Sequence, residues 1–143
     1  MNEPSQAWFW RMQRGEVPPP PVAGLLGQRI TCVDVADGKL EADFAAADSF
    51  ANPAGQLQGG MLGAMLDALA ASMVDATLQP GERVASLNLN LAFVRPAVLG
   101  ELQGTARLVQ RGRTVAHVEA ELLQRGKVVA RATAVCMVTG SPT

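Results

Sequence analysis

From Asn52 to Leu78 the chain carries one long apolar segment with the helical period. After Gly59 and Gly60, residues Leu62, Leu66, Leu69 and Met73 fall at i, i+4, i+7 and i+11. The spacing predicts a loop through Asn52, Pro53 and Gly55, then a helix with one apolar stripe. On both sides of this helix the period changes to two. Ile30 to Ala36 and Lys39 to Ala46 flank Asp37-Gly38, a dipeptide suited to a two-residue hairpin turn because both positions tolerate positive φ. In the second of these segments Leu40, Ala42 and Phe44 alternate with Glu41 and Asp43, as expected of a strand with one wet face. After the turn signal Pro80-Gly81, residues Leu87, Leu89, Leu91 and Phe93 alternate with Ser86, Asn88, Asn90 and Ala92, the clearest strand in the chain, ending at Pro96. A further strand is predicted near Glu101 to Gln110, between Gly100 and Gly112. Thr114 to Gln124 carries Ala116, Val118, Ala120 and Leu122 on one face, opposite Val115, His117, Glu119 and Glu121. Beyond the turn Arg125-Gly126, Lys127 to Thr139 carries Val128, Ala130, Ala132, Ala134, Cys136 and Val138 on one face.

Two strands, one long helix and four antiparallel strands make an α+β chain. The helix stripe needs a partner, and the small residues Ala130, Ala132 and Ala134 would let a sheet curve closely around it. Ahead of this unit, residues 2 to 14 offer Ser5 as a helix N-cap and Ala7, Trp8, Phe9 and Met12 as an apolar face, predicting a short amphipathic helix that ends near Gly15. Such a segment would cap the core or line the apolar tail of a bound ligand. Pro18 to Pro21 favour an extended polyproline connector. Residues 1–143 are therefore expected to form one domain, in which 1–24 are the N-terminal helix and proline-rich connector.

Composition narrows the class. With 48% hydrophobic residues, 17% charged residues and a formal net charge of −1, neither disorder nor general nucleic-acid attraction is expected. Cys32 and Cys136 are too few and too far apart for a disulfide framework or a zinc site, and are expected as buried free thiols in a reducing cytoplasm. Asp67 interrupts the apolar helix soon after Gly60 and no signal-peptide pattern is present, so neither export nor membrane insertion is expected. His117, the single histidine, stands mid-strand without a ligand spacing, so no metal site is expected.

Asp67 is the residue that composition leaves unexplained. Its neighbours at three and four positions either way are Gly63, Ala64, Ala70 and Ala71, so no cation on its own helix can pair with it. Either water compensates this carboxylate, or another segment or subunit packs on the small-residue surface and surrounds it.

Asn52, then Gln58-Gly59-Gly60, Asp67 within the helix, Ser86 ahead of the alternating strand, the run Phe93-Val94-Arg95-Pro96, Gly100 and Gly112-Arg113 follow one another in a familiar order. Over most of residues 25 to 139 this order resembles the hotdog fold, and within it the acyl-CoA thioesterases related to the phenylacetate-degradation type. The resemblance implies a curved antiparallel sheet wrapped around one long central helix. It also implies hydrolysis of an acyl-CoA to free acid and coenzyme A, with no metal or redox cofactor, by a homodimer or homotetramer whose acyl pocket lies between subunits. No nucleic-acid or membrane partner is implied. By carry-over, Asp67 is the nucleophile or the general base that activates water. Gly59 offers its amide at the helix N-terminus to the developing oxyanion, with Gly60 beside it. Asn52 and Gln58 orient the thioester or the water, and Ser86 holds the water or the Asp67 carboxylate. Members of the family usually carry histidine before the paired glycines; Gln58 keeps hydrogen bonding there and loses titration.

Coenzyme A phosphates call for cations at the pocket mouth, and Arg95, Arg111 and Arg113 stand beside turns. Trp8, Phe9 and Met61 are candidates to line the acyl group. Two other functions compete: a non-catalytic acyl-CoA-binding protein of the same fold, and a hydratase or dehydratase, for which His117 is poorly placed.

Overall fold

The structure, a computed structural model, describes residues 6–141. Helix α1 spans Trp8–Gln13 and α2 spans Pro21–Leu26. Strands β1 (Arg29–Asp34) and β2 (Lys39–Ala46) follow, then α3 (Gly59–Asp75). The chain closes with β3 (Glu82–Phe93), β4 (Gly100–Arg111), β5 (Val115–Gln124) and β6 (Lys127–Gly140). The strands form one antiparallel sheet in the order β1-β2-β4-β5-β6-β3. This is the hotdog architecture expected from the sequence, with α3 packed against β2 to β6.

The core lies where the two periodicities meet. All four residues of the predicted stripe, Leu62, Leu66, Leu69 and Met73, are buried, together with Met65, Ala70 and Val74. They pack against Leu40 and Phe44 of β2, Leu102 of β4, Val118 and Leu122 of β5, and the alanines of β6. Gly104 on β4 sets the closeness of this packing. A Cβ there would stand 2.5 Å from Leu69 Cδ1 and 3.0 Å from Phe44 Cε2, so any larger residue would have to displace these buried side chains.

Helix α1 closes the C-terminal end of α3: the buried Trp10 indole Nε1 donates to the carbonyl of Ala76 at 3.1 Å. Phe9 and Trp10 pack edge to face, their centroids 5.1 Å apart. The N-terminal segment therefore caps the core, one of its two expected roles. Ser5, the expected N-cap, lies outside the described residues; α1 begins after Ala7.

Several local expectations are corrected. The proline run does not stay extended throughout, because Pro21 opens α2 at a position where its missing N–H costs nothing. Asp37-Gly38 is not a two-residue hairpin turn. Asp34 pairs with Lys39, leaving a four-residue connection in which Asp34 Oδ1 accepts from the Asp37 amide at 2.9 Å and Gly38 alone has positive φ. The tight turn falls instead at Arg125-Gly126, both in the left-handed region (φ 53° and 77°) between the paired Gln124 and Lys127. Cys32 is exposed rather than buried, next to a register shift on the edge strand β1; Cys136 is buried as expected. No helix among the described residues is long and apolar enough to cross a membrane.

Candidate active site

One face of α3 carries small residues and lets β3 approach closely. Gly59, Gly63 and Asp67 recur along it at i, i+4 and i+8, and β3 runs antiparallel across them. A Cβ at Gly59 would stand 3.3 Å from the Phe93 ring, and one at Gly63 would stand 2.9 Å from Leu91 Cδ1. At the next step Ser86 Oγ donates to Asp67 Oδ1 at 2.6 Å. A half-buried carboxylate is thus fixed by a hydroxyl from the neighbouring strand and has no cation among its bonded partners.

Strict alternation would put Ser86 on the face opposite Leu87, Leu89, Leu91 and Phe93. The structure places it on the same face as Leu89. Ser86 pairs with Cys136, yet Asn88 pairs with Val135, so Leu87 is an extra residue in β3. This bulge turns Ser86 toward α3 and makes its bond to Asp67 possible. The same register sets the buried Cys136 thiol beside Ser86. Burial, and after it the Asp67 and Asp75 charges, push that thiol up, while a hydrogen bond with Ser86 pulls it down. Cys136 was absent from the expected site because cross-strand register carries no signal in one sequence.

The loop before α3 is built by Asn52. Its Oδ1 accepts from the amides of Ala54 at 2.9 Å and Gln56 at 3.0 Å, and Gly55 (φ 77°) completes the turn. This leaves the Asn52 Nδ2 protons as its free donors. Gln58 occupies the N-cap of α3 with no side-chain capping bond, so its exposed amide is uncommitted. Its carbonyl accepts from Met61 and Leu62, whereas the Gly59 and Gly60 amides donate to no group among the described residues. Those two open donors lie at the positive end of the helix dipole.

The candidate cations separate. Arg95 follows β3 at the Gly59 end of α3, where its Nη1 donates to the Val128 carbonyl. Arg111 is immobilised at the other end: Nε donates to Thr77 Oγ1 at 2.9 Å, Nη2 is 3.8 Å from Glu82 Oε1, and Nη1 bonds the Gly112 carbonyl. Arg113, beside it in the β4–β5 turn, is exposed. Met61 is half-buried in the first turn of α3, while Trp8 and Phe9 lie in α1 at the opposite end of that helix. His117 points away from α3, exposed between the buried Ala116 and Val118. Among the described residues no three His, Cys, Asp or Glu side chains converge as metal ligands would. A broad hollow of about 1080 Å³ lies over the charged outer positions of the sheet, where Arg107 meets Glu119 at 2.7 Å, and Asp67 does not line it.

The free edge of the sheet runs beside this site. Strand β3 pairs with β6 alone, and Leu87 (55%), Phe93 (55%) and Leu91 (38%) are exposed along it. A long apolar strand with unpaired backbone groups is a template for association.

Residues 51–137 match the family model for the acyl-CoA thioesterase N-terminal domain. Acyl-coenzyme A thioesterase 13 of Homo sapiens is 28% identical over 94 residues, which cover 65% of this chain and 66% of that protein. The chain thus spans slightly under two thirds of that relative's length. A phenylacetic acid degradation-related protein of Ralstonia eutropha is 58% identical, with a TM-score of 0.90 over 91% of this chain and 98% of that one. The E. coli PaaI protein, from the phenylacetic acid degradation operon, shares the fold with a TM-score of 0.80 at 21% identity, covering 94% and 96% of the two chains.

Proposed function

The chain belongs to the acyl-CoA thioesterase family of hotdog proteins, and we propose that it hydrolyses an acyl-CoA to free acid and coenzyme A at a site shared by two copies. The observation that carries this reading is the Asp67 carboxylate, held by Ser86 at 2.6 Å on the small-residue face of α3 beside the open edge strand. Gly59 and Asp67 are eight residues apart on one helix, about 12 Å along its axis. A base or nucleophile and an oxyanion donor must both stand about 3 Å from the atoms that react. One chain therefore cannot bring its own Asp67 and its own Gly59 amide to one thioester. Pairing of two copies along β3, about a two-fold axis, sets Asp67 of one against Gly59 and Asn52 of the other and covers Leu87, Leu91 and Phe93.

In this arrangement Asp67 takes a proton from water, the hydroxide adds to the thioester carbon, and the oxyanion is held by the partner subunit's Gly59 amide. Collapse of the intermediate expels the coenzyme A thiolate, which receives the proton. Attack by the carboxylate itself, through an anhydride that water then opens, uses the same atoms; label found in Asp67 after single turnover in heavy-oxygen water would establish an anhydride opened at the Asp67 carbonyl, because general-base attack puts the label in the free acid alone. Asn52 Nδ2 and the Gln58 amide orient the substrate, Gly60 lies against it, and Arg95 and Arg113, at opposite ends of α3, meet the coenzyme A phosphates from different subunits. The cellular setting consistent with the two unbridged cysteines is a reducing cytoplasm.

The test is release of free thiol from short, medium-chain and aromatic acyl-CoAs. Asp67→Asn should lower turnover about 10²- to 10⁴-fold with the oligomer unchanged. An Asp67→Asn protein that turns over at the native rate would sink the mechanism. Native protein that binds acyl-CoA without cleaving it would establish the non-catalytic binding reading instead.

A further inference from the structure

A second pocket, of about 240 Å³, lies under the N-terminal segment at the C-terminal end of α3, and Asp67 is not among its walls. Its apolar wall includes Trp8, Phe9 and Met12 of α1 together with Ile30 of β1, and its polar floor is Gln28, Ser72 and Asp75. Asp75 is the last residue of α3. Its carboxylate receives no hydrogen bond and forms no ion pair among the described residues. Burial of the charge raises its carboxyl from 3.8 to about 7. The other charged group on the wall, Arg29, is committed to Asp43 at 2.8 Å and is mostly solvated. Arg11 and Arg14 on the neighbouring helix end pair with Glu16.

Two side-chain acceptors stand on the polar floor of this pocket beside the hydroxyl of Ser72. Gln28 Nε2 donates to Ser72 Oγ at 3.1 Å, which leaves Gln28 Oε1 as an acceptor in the pocket that Asp75 also lines. The C-terminal turn of α3 adds its partial negative charge. An aromatic wall is attractive to a cation as well as to an apolar body. Carboxylate, amide oxygen, helix end and aromatic rings all select the same ligand head, one that carries positive charge and several N–H donors.

We propose that this pocket is a binding site for a small organic amine, whose ammonium pairs with Asp75 and Gln28 Oε1 and whose compact apolar body rests on Trp8, Phe9 and Met12. Such a ligand supplies the counter-charge that the fold withholds from Asp75. Because the pocket is walled by α1 and by the segment leading into α2, its occupation ties the N-terminal segment to α3.

Benzylamine, n-butylamine and the uncharged benzyl alcohol are suitable probes of the full chain, by titration calorimetry and by tryptophan fluorescence. Benzylamine is expected to bind with a dissociation constant on the order of millimolar or tighter, and at least tenfold more tightly than benzyl alcohol. Asp75→Asn, which removes an uncompensated charge and retains the shape, should fold and lose this preference. Asp67→Asn should keep it. Below neutral pH the binding should release a proton from Asp75, seen as a heat that depends on the buffer, and this release should vanish at alkaline pH. The assignment is overturned if benzylamine binds no better than benzyl alcohol, if Asp75→Asn binds it as tightly as the native chain, or if no binding is seen at millimolar amine.

Discussion

Raising the pH from about 4 to about 8 should cost the protein stability through Asp75, and the size of the loss follows from its burial. In the unfolded chain this carboxyl ionises at its ordinary value of 3.8, whereas in the folded chain it keeps its proton up to about 7. Between those values the folded state binds one more proton than the unfolded state. Stability from this group is therefore complete below 3.8 and is lost as pH rises toward 7. At roughly 1.4 kcal/mol per pH unit the window from 3.8 to about 7 carries on the order of 4 kcal/mol. A domain of ordinary stability has only about 5–15 kcal/mol in total. Ion-paired carboxylates act in the opposite sense: Glu16, lowered chiefly by its hydrogen bond to Arg14, loses its contribution as pH falls. The Asp75 effect is accordingly read as a difference against Asp75→Asn, which cannot titrate. Urea unfolding of both proteins at one chain concentration, in steps from about pH 4 to about pH 8, is the assay. The variant should gain on the native chain progressively and lead it by a few kcal/mol at the alkaline end. A difference that stays flat across the series, or a variant less stable than the native chain at alkaline pH, would refute a desolvated Asp75.

Three other substitutions test the packing, the site and the edge. Gly104→Ala should lower the urea-unfolding free energy by about 1–3 kcal/mol, since its Cβ would stand 2.5 Å from Leu69 Cδ1 in a fully buried layer. Ser86→Ala removes the 2.6 Å bond to Asp67 from an exposed position, so thiol release should fall about tenfold while the unfolding midpoint stays near native. Leu87→Asp places a charge on the exposed bulge of β3; gel filtration should show a smaller species, and hydrolysis should fall with it if two copies complete one site.

The sequence made the elements legible wherever one face of an element decides its burial. The α3 stripe and the alternation in β2, β5 and β6 reappear as buried faces because those segments each have a single packed side. The misses come from interactions with parts of the chain that no local window contains. Helix α2 has only six residues and forms because Ala23 and Leu26 find the core, so a proline run ahead of it reads as extended. The Ser86–Asp67 contact was expected from the resemblance and not from the alternation in β3, since only the pairing with β6 shows that Leu87 is an extra residue. Asp75 is a different kind of miss, since the test that singled out Asp67 applies to it as well. Ala71, Ser72, Leu78 and Gln79 offer it no cation, and nothing in its local window distinguishes a solvated helix end from one that another segment covers. What decides between the two carboxylates is what stands opposite each. A serine from an edge strand leaves Asp67 on a face that a second copy can complete, whereas aromatic residues of α1 close over Asp75 and leave it charged only at the expense of folding energy or in the presence of a cation.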